Sequence, residues 1–161
     1  MSNDSLTRAQ RDVTHVRLRD EEVVLHRVPS DGSCWYHAAA LALGEGLSSA
    51  RLRVEVAAFV GRNPDHSIAG APLSDWVRWD TGLDVRAYAR RMYQCGEWAG
   101  GLENAVLAHL YNVAVEIYAR DRPSGWRRLA RFDADVCSGV LRLAYTGRCH
   151  YDALTSAGRR R

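Results

Sequence analysis

Residues 29–44 read PSDGSCWYHAAALALG. Pro29 and the run Ser30-Asp31-Gly32-Ser33 are turn formers: proline fixes φ, while aspartate and glycine favour tight reversals. From Cys34 the chain becomes apolar nearly all round, which predicts a buried helix over 34–43 ended by Gly44 and Gly46. Cys34 therefore stands where a turn becomes a helix. A helix N-terminus carries a partial positive charge and N–H groups without intrahelical acceptors. Both favour a thiolate, and the same donors, with those of the turn, can hold an oxyanion beside the sulfur. Two readings fit the position: a buried structural cysteine opening a core helix, or a nucleophile.

Working outward, EVVLHRVP (22–29) predicts a strand ended by Pro29. SARLRVEVAAFV (49–60) places Leu52, Val56, Phe59 and Val60 on one helical face, and GRNPDHSIAGAP (61–72) reads as a loop. Asp84 is placed to cap a helix over 85–94, with Val85, Tyr88, Ala89 and Met92 on its stripe. Residues 102–111 repeat that logic. The period then changes. NVAVEIYA (112–119) and VLRLAY (140–145) alternate, WRRLARF (126–132) does so poorly, and CHYDAL (149–154) follows the turn 146–148 as a short strand. Helices first and antiparallel strands later make the class α+β. Residues 1–20 are expected to be a flexible lead-in, 21–156 one domain and 157–161 a basic tail.

The chain has 161 residues, 47% apolar and 25% charged, as in an ordinary globular domain. It has no apolar run of the ~20 residues that a membrane helix needs, so no membrane association is expected. The polar start MSNDSLTRAQRD carries no apolar signal core, which argues against secretion by that route. A net charge of only +3, with arginines spread along the chain, argues against a dedicated nucleic-acid binder. The clusters Arg127, Arg128, Arg131 and Arg159, Arg160, Arg161 read as solvated surface. Cys34, Cys95, Cys137 and Cys149 match no zinc spacing, so no metal is expected, and their thiols suit a reducing compartment.

His150-Tyr151-Asp152 is the second feature with chemistry in it. On an extended segment residues two apart point to one side, so Asp152 can hold one imidazole nitrogen of His150 while the other faces a thiol. Tyr151 then faces the opposite way, into packing. An isolated His-x-Asp is common by chance. Together with a thiol at a helix start it is the nucleophile, base and orienter of a cysteine hydrolase. GSCW is shared with papain-type proteases, but the chain is short for that fold. It also lacks a glutamine shortly before Cys34, and its acid follows the histidine by only two residues.

DGSCWYHA closely resembles the nucleophile motif of the ovarian tumour (OTU) cysteine deubiquitinases, Asp-Gly-x-Cys followed by two large aromatic or apolar residues. EWAGGLENAVLAHLYNVAVEIY (97–118) is similar to their middle block, and HYDAL (150–154) to their terminal His-aromatic-acid motif. The blocks occur in family order over residues 31–154. Ala99 departs from the family's glycine after the tryptophan; Gly100 and Gly101 are candidates to supply the turn.

The resemblance implies a compact OTU-like fold with a central, mostly antiparallel sheet packed between helices. It implies Cys34 as nucleophile, His150 as general base and Asp152 as its orienter. Asp31 is the other motif acid, in a loop Asp31-Gly32-Ser33-Cys34 that builds the oxyanion hole, and Trp98 and Glu103 support the site. It implies no cofactor, a monomer, and a cytoplasmic place of action, the host cytosol for a viral or bacterial effector. The implied substrate is the bond after the C-terminal glycines of ubiquitin or a ubiquitin-like protein. For that partner Trp76, Trp79 and Tyr88 are candidate apolar contacts, with packing as the competing reading, and Asp75, Asp80 and Asp84 candidate acidic ones. Two alternatives stay open: a polyprotein-processing protease of viral type, and a non-catalytic ubiquitin-binding module. All 22 basic residues are arginine, which either a GC-rich genome or avoidance of ubiquitin-accepting lysines would explain.

Overall fold

The computed structural model describes residues 13–44, 46–122 and 125–158. Its first element is a strand, Val13–Leu18 (β1), paired antiparallel with Glu21–His26 (β2). The lead-in expected over 1–20 thus contains a sheet strand; only Leu18 of it is buried, so its alternation is faint in the sequence. Residues 1–12 of the lead-in, and Arg159, Arg160 and Arg161 of the tail, lie outside the described residues.

Helix α1 (Cys34–Leu43) buries Trp35, Tyr36, Ala38, Ala39 and Ala40. Helix α2 (Ser49–Arg62) starts at Ser48, whose hydroxyl accepts the Arg51 N–H. It buries Leu52, Val56 and Val60 and also Arg53. The loop expected over 61–72 holds a two-residue hairpin, β3 (Ser67–Ile68) with β4 (Ala71–Pro72). Helix α3 (Leu73–Thr81) forms where no element is expected, because Leu73 and Val77 bury one face of a single short amphipathic stretch. Helix α4 (Val85–Met92) is capped by Asp84, which accepts the Ala87 N–H at 2.8 Å. Helix α5 (Gly101–Tyr111) follows.

The strands β5 (Ala114–Asp121), β6 (Gly125–Phe132), β7 (Val140–Tyr145) and β8 (Tyr151–Ser156) complete a six-stranded sheet ordered β1-β2-β8-β7-β5-β6. Every pair is antiparallel except β5 with β7. The sheet curls until β1 meets β6. The helices gather on one face, where Val115, Ile117, Leu141, Leu143 and Ala153 join the main core. On the other face Leu18, Val23, Leu25, Tyr118, Ala144 and Leu154 form a second cluster drawn from strands alone. Arg128 and Arg131 are not simply solvated: both pair with the buried carboxylate of Glu116. The β2–β8 pairing sets the site, because it brings the segment after β2 beside the start of β8.

Candidate active site

Cys34 is the first residue of α1 and 9% exposed. Ser33 precedes it at the cap position, but its hydroxyl makes no capping bond and accepts instead from Arg53 at 2.9 Å. The N–H groups that open α1 therefore have neither an intrahelical acceptor nor a side-chain cap. The Cys34 thiol donates to the main-chain carbonyl of Cys149 at 3.7 Å, one residue from His150.

His150 is held at both nitrogens. Its Nε2 lies 2.9 Å from Asp152 Oδ1, and its Nδ1 lies 3.1 Å from the Ser30 hydroxyl. A carboxylate can only accept, so Nε2 carries the proton and Nδ1 is the basic nitrogen, here accepting from Ser30. Asp152 is buried and accepts a second bond at the same oxygen from the Val28 N–H, 2.9 Å away. That bond is the product of the β2–β8 register, and it fixes the carboxylate that fixes the imidazole.

The loop before His150 is wound left-handed. Gly147, Arg148 and Cys149 have φ of 74°, 48° and 66°. For the two non-glycine residues this conformation costs on the order of 1 kcal/mol or more each. Hydrogen bonds from the Thr146 N–H to the His150 carbonyl (3.0 Å) and from the Cys149 N–H to the Tyr145 hydroxyl (3.2 Å) hold it. The strand expected from 149 consequently starts at Tyr151, since a left-handed residue cannot continue an extended ladder. The turn is what delivers the Cys149 carbonyl to the thiol.

Asp31 sits elsewhere. Its Oδ1 accepts the Ser33 N–H at 3.0 Å and its Oδ2 pairs with His37 Nε2 at 2.9 Å. The His37 bond holds the Asp31 carboxyl below its ordinary range. One oxygen is engaged by the turn and the other by α1, so the acid that meets His150 is Asp152 and Asp31 fastens the turn before Cys34. The Ser33 N–H, one of the expected oxyanion donors, is engaged by Asp31, whereas the helix that Cys34 opens has no side-chain cap. Gly32 has φ +73°, and a Cβ there would lie 2.8 Å from Gly96 Cα. Glycine is required twice over at that position, by conformation and by contact.

No protein-family model matches the chain, and no curated protein matches it in sequence. Solved structures do. The viral OTU domain protease from Dera Ghazi Khan virus superposes with a TM-score of 0.68 at 19% identity, over 89% of this chain and 86% of that one. The chain has the ovarian tumour (OTU) fold. The Hazara virus OTU, solved bound to ubiquitin, matches with a TM-score of 0.62 at 22% identity, over 90% of this chain and 96% of that one. The OTUD1 OTU domain matches at 0.60 and 20%, over 94% and 90%.

Within the OTU fold a cleft of about 710 Å³ opens beside His150 and Asp152. His150, Asp152 and Ser30 form one end; Trp126, Leu129 and Tyr145 supply apolar wall, and Arg27 and Arg120 charge. None of Asp75, Asp80 or Asp84 lines it. Asp84 caps α4, and Asp80 borders a second cavity of about 400 Å³ shared with Trp98 and Glu103. Tyr88 cannot touch a partner: it is 1% exposed and its hydroxyl donates to buried Glu103. Burial pushes the Glu103 carboxyl up, against the bonds from Tyr88 and from the Gly100 N–H. Trp76 donates its indole N–H to the Ile68 carbonyl and meets Trp79 edge-on, leaving Trp79, 63% exposed, as the accessible member of the three. Among the described residues no three His, Cys, Asp or Glu side chains gather as metal ligands, and no helix is long and apolar enough to cross a membrane. Sequence reasoning misses Ser30 and Arg53. Ser30 lies inside the quoted stretch, but a serine in a turn carries no signal of its partner.

Proposed function

We propose that this chain is an OTU-type cysteine protease that hydrolyses the peptide or isopeptide bond after the C-terminal glycines of ubiquitin or a ubiquitin-like protein. One arrangement carries the reading: a thiol at an uncapped helix N-terminus, beside a histidine whose far nitrogen is tied to a buried, backbone-anchored aspartate. That it occurs in a fold whose solved neighbours include OTU domains bound to ubiquitin supports the substrate class.

The chemistry follows from the tautomer. With Nε2–H held by Asp152, Nδ1 takes the Cys34 proton once the Ser30 hydroxyl turns aside. The thiolate attacks the carbonyl carbon of the last glycine, and the oxyanion meets the N–H groups at the start of α1. Nδ1–H protonates the departing amine as the C–N bond breaks, leaving a thioester on Cys34. Water, deprotonated by Nδ1, attacks that thioester and restores the thiol. A reducing cytosol suits an enzyme whose four cysteines are all unpaired.

Hydrolysis of ubiquitin carrying a C-terminal fluorogenic amide tests the proposal. The wild type releases the fluorophore; Cys34→Ala and His150→Ala do not. Asp152→Asn, which keeps an acceptor for Val28 and His150, lowers kcat/KM by about tenfold to a hundredfold rather than abolishing it. Near-wild-type turnover in Cys34→Ala would defeat the nucleophile assignment. A folded wild type inert towards ubiquitin and every ubiquitin-like amide would defeat the substrate class.

A further inference from the structure

Arg53 is 3% exposed, on the buried face of α2, and no carboxylate meets its guanidinium among the described residues. Its acceptors are main-chain carbonyls and one hydroxyl. Nη1 donates to the Met92 carbonyl at 3.0 Å, where α4 ends. Nη2 donates to Ser33 Oγ at 2.9 Å and to the Glu97 carbonyl at 3.0 Å, with the Gly32 carbonyl at 3.5 Å. The guanidinium lies 4.0 Å from the centroid of the Tyr36 ring.

Burying a guanidinium carries a large desolvation penalty before its bonds are counted. The carbonyl at a helix C-terminus and the aromatic face are favourable partners for a cation, and they offset part of that cost. An apolar side chain would fill the space without the penalty. What it would lack is the connection. Arg53 joins the Gly32-Ser33 turn to the 92–97 segment, at the place where Gly32 packs against Gly96 with no room for a Cβ. It also engages the Ser33 hydroxyl, which otherwise is free to cap α1 and cover its N–H groups.

We propose that Arg53 is a positioning residue for the nucleophile: it pins the Gly32-Ser33 turn to the 92–97 segment, keeps Ser33 off the helix end, and so leaves the first N–H groups of α1 open to the oxyanion beside Cys34. The inference rests on the hydrolase reading of that site. Its effect falls on the chemical step and not on substrate affinity, because every group it touches belongs to the turn and its backing, away from the cleft beside His150.

The test measures steady-state hydrolysis of the ubiquitin fluorogenic amide, and separately the rate at which iodoacetamide alkylates Cys34, in wild type, Arg53→Met, Arg53→Lys and Ser33→Ala. Arg53→Met is expected to lose about a hundredfold in kcat with KM within about twofold of wild type, the loss expected when a catalytic group is displaced by about 1 Å. Arg53→Lys, which keeps the charge and some of the donors, recovers part of it, and Ser33→Ala loses about threefold or more with an unchanged melting temperature. Should Arg53→Met fail to fold, Arg53→Lys and Ser33→Ala decide. Wild-type kcat in both, or losses matching only the unfolded fraction seen by circular dichroism, would overturn the proposal. Alkylation separates the two readings. A wild type that ignores ubiquitin while its Cys34 alkylation still slows in the Arg53 variants removes the substrate reading and keeps the positioning role; turnover insensitive to Arg53 does the reverse.

Discussion

Ser30 occupies the imidazole nitrogen to which the proposed mechanism gives the thiol proton. Its hydroxyl lies 3.1 Å from His150 Nδ1, while the Cys34 thiol rests on the Cys149 carbonyl. On the proposed mechanism this is a resting arrangement, with the proposed base and nucleophile each on a substitute partner. Ser30 is exposed, so its bond to the imidazole competes with water and is weak. Ser30→Ala is expected to raise the rate of Cys34 alkylation by up to a fewfold, as judged by intact mass over time; a tenfold fall would show instead that Ser30 orients the imidazole for catalysis. At this scale the sequence is most legible where chemistry is local. Cys34 after a turn, and His150 two residues from Asp152, announce themselves by spacing. Ser30 and Arg53 do not, since Ser30 finds its partner 120 residues away and Arg53 bonds segments 20, 39 and 44 residues distant.

Strands β5, β6 and β7 meet at a single carboxylate. Glu116 on β5 is buried and accepts from the Tyr118 hydroxyl at 2.9 Å, Arg128 at 2.7 Å, Arg131 at 2.9 Å and Arg142 at 3.3 Å. Burial alone would raise its pKa; the four donors outweigh it and bring the carboxyl from 4.5 down to about 2. A folded-state pKa below the unfolded one means stabilisation that is full above the ordinary carboxylate range and lost as the pH falls through about 2. Glu116→Gln is accordingly expected to cost about 2–3 kcal/mol at pH 7, with the gap to wild type closing as the pH falls from 5 to 2. Urea unfolding across that range checks it, and a pH-independent difference would contradict the ion-pair account. Element boundaries are legible where a long apolar or periodic run ends at turn formers. Helix α1 coincides with its expected range, 34–43. Strand β1 and helix α3 escaped because each is short and offers only a residue or two to the core, Leu18 in one and Leu73 and Val77 in the other.

The whole molecule brings the two halves of its site together from opposite ends of the chain. The turn before Cys34 follows β2 and His150 precedes β8, and the antiparallel pairing of those strands makes them neighbours. Resemblance of three sequence blocks anticipated this fold, although no family model matches the chain. It implied a sheet packed between helices, and in the distribution of helices the structure differs. They cover one face of a sheet whose other face is sealed by its own curl, a property of strand twist and register that no block of sequence carries. That second face ends in the cleft beside His150, with Arg27 and Arg120 on its walls and none of the candidate acidic contacts Asp75, Asp80 and Asp84 among its lining. The most direct test of the central claim is incubation with ubiquitin bearing a C-terminal thiol-reactive group, read by intact mass. The account predicts one ubiquitin added to the wild type and none to Cys34→Ala. An adduct that persists in Cys34→Ala, or none at all in a folded wild type, would contradict it.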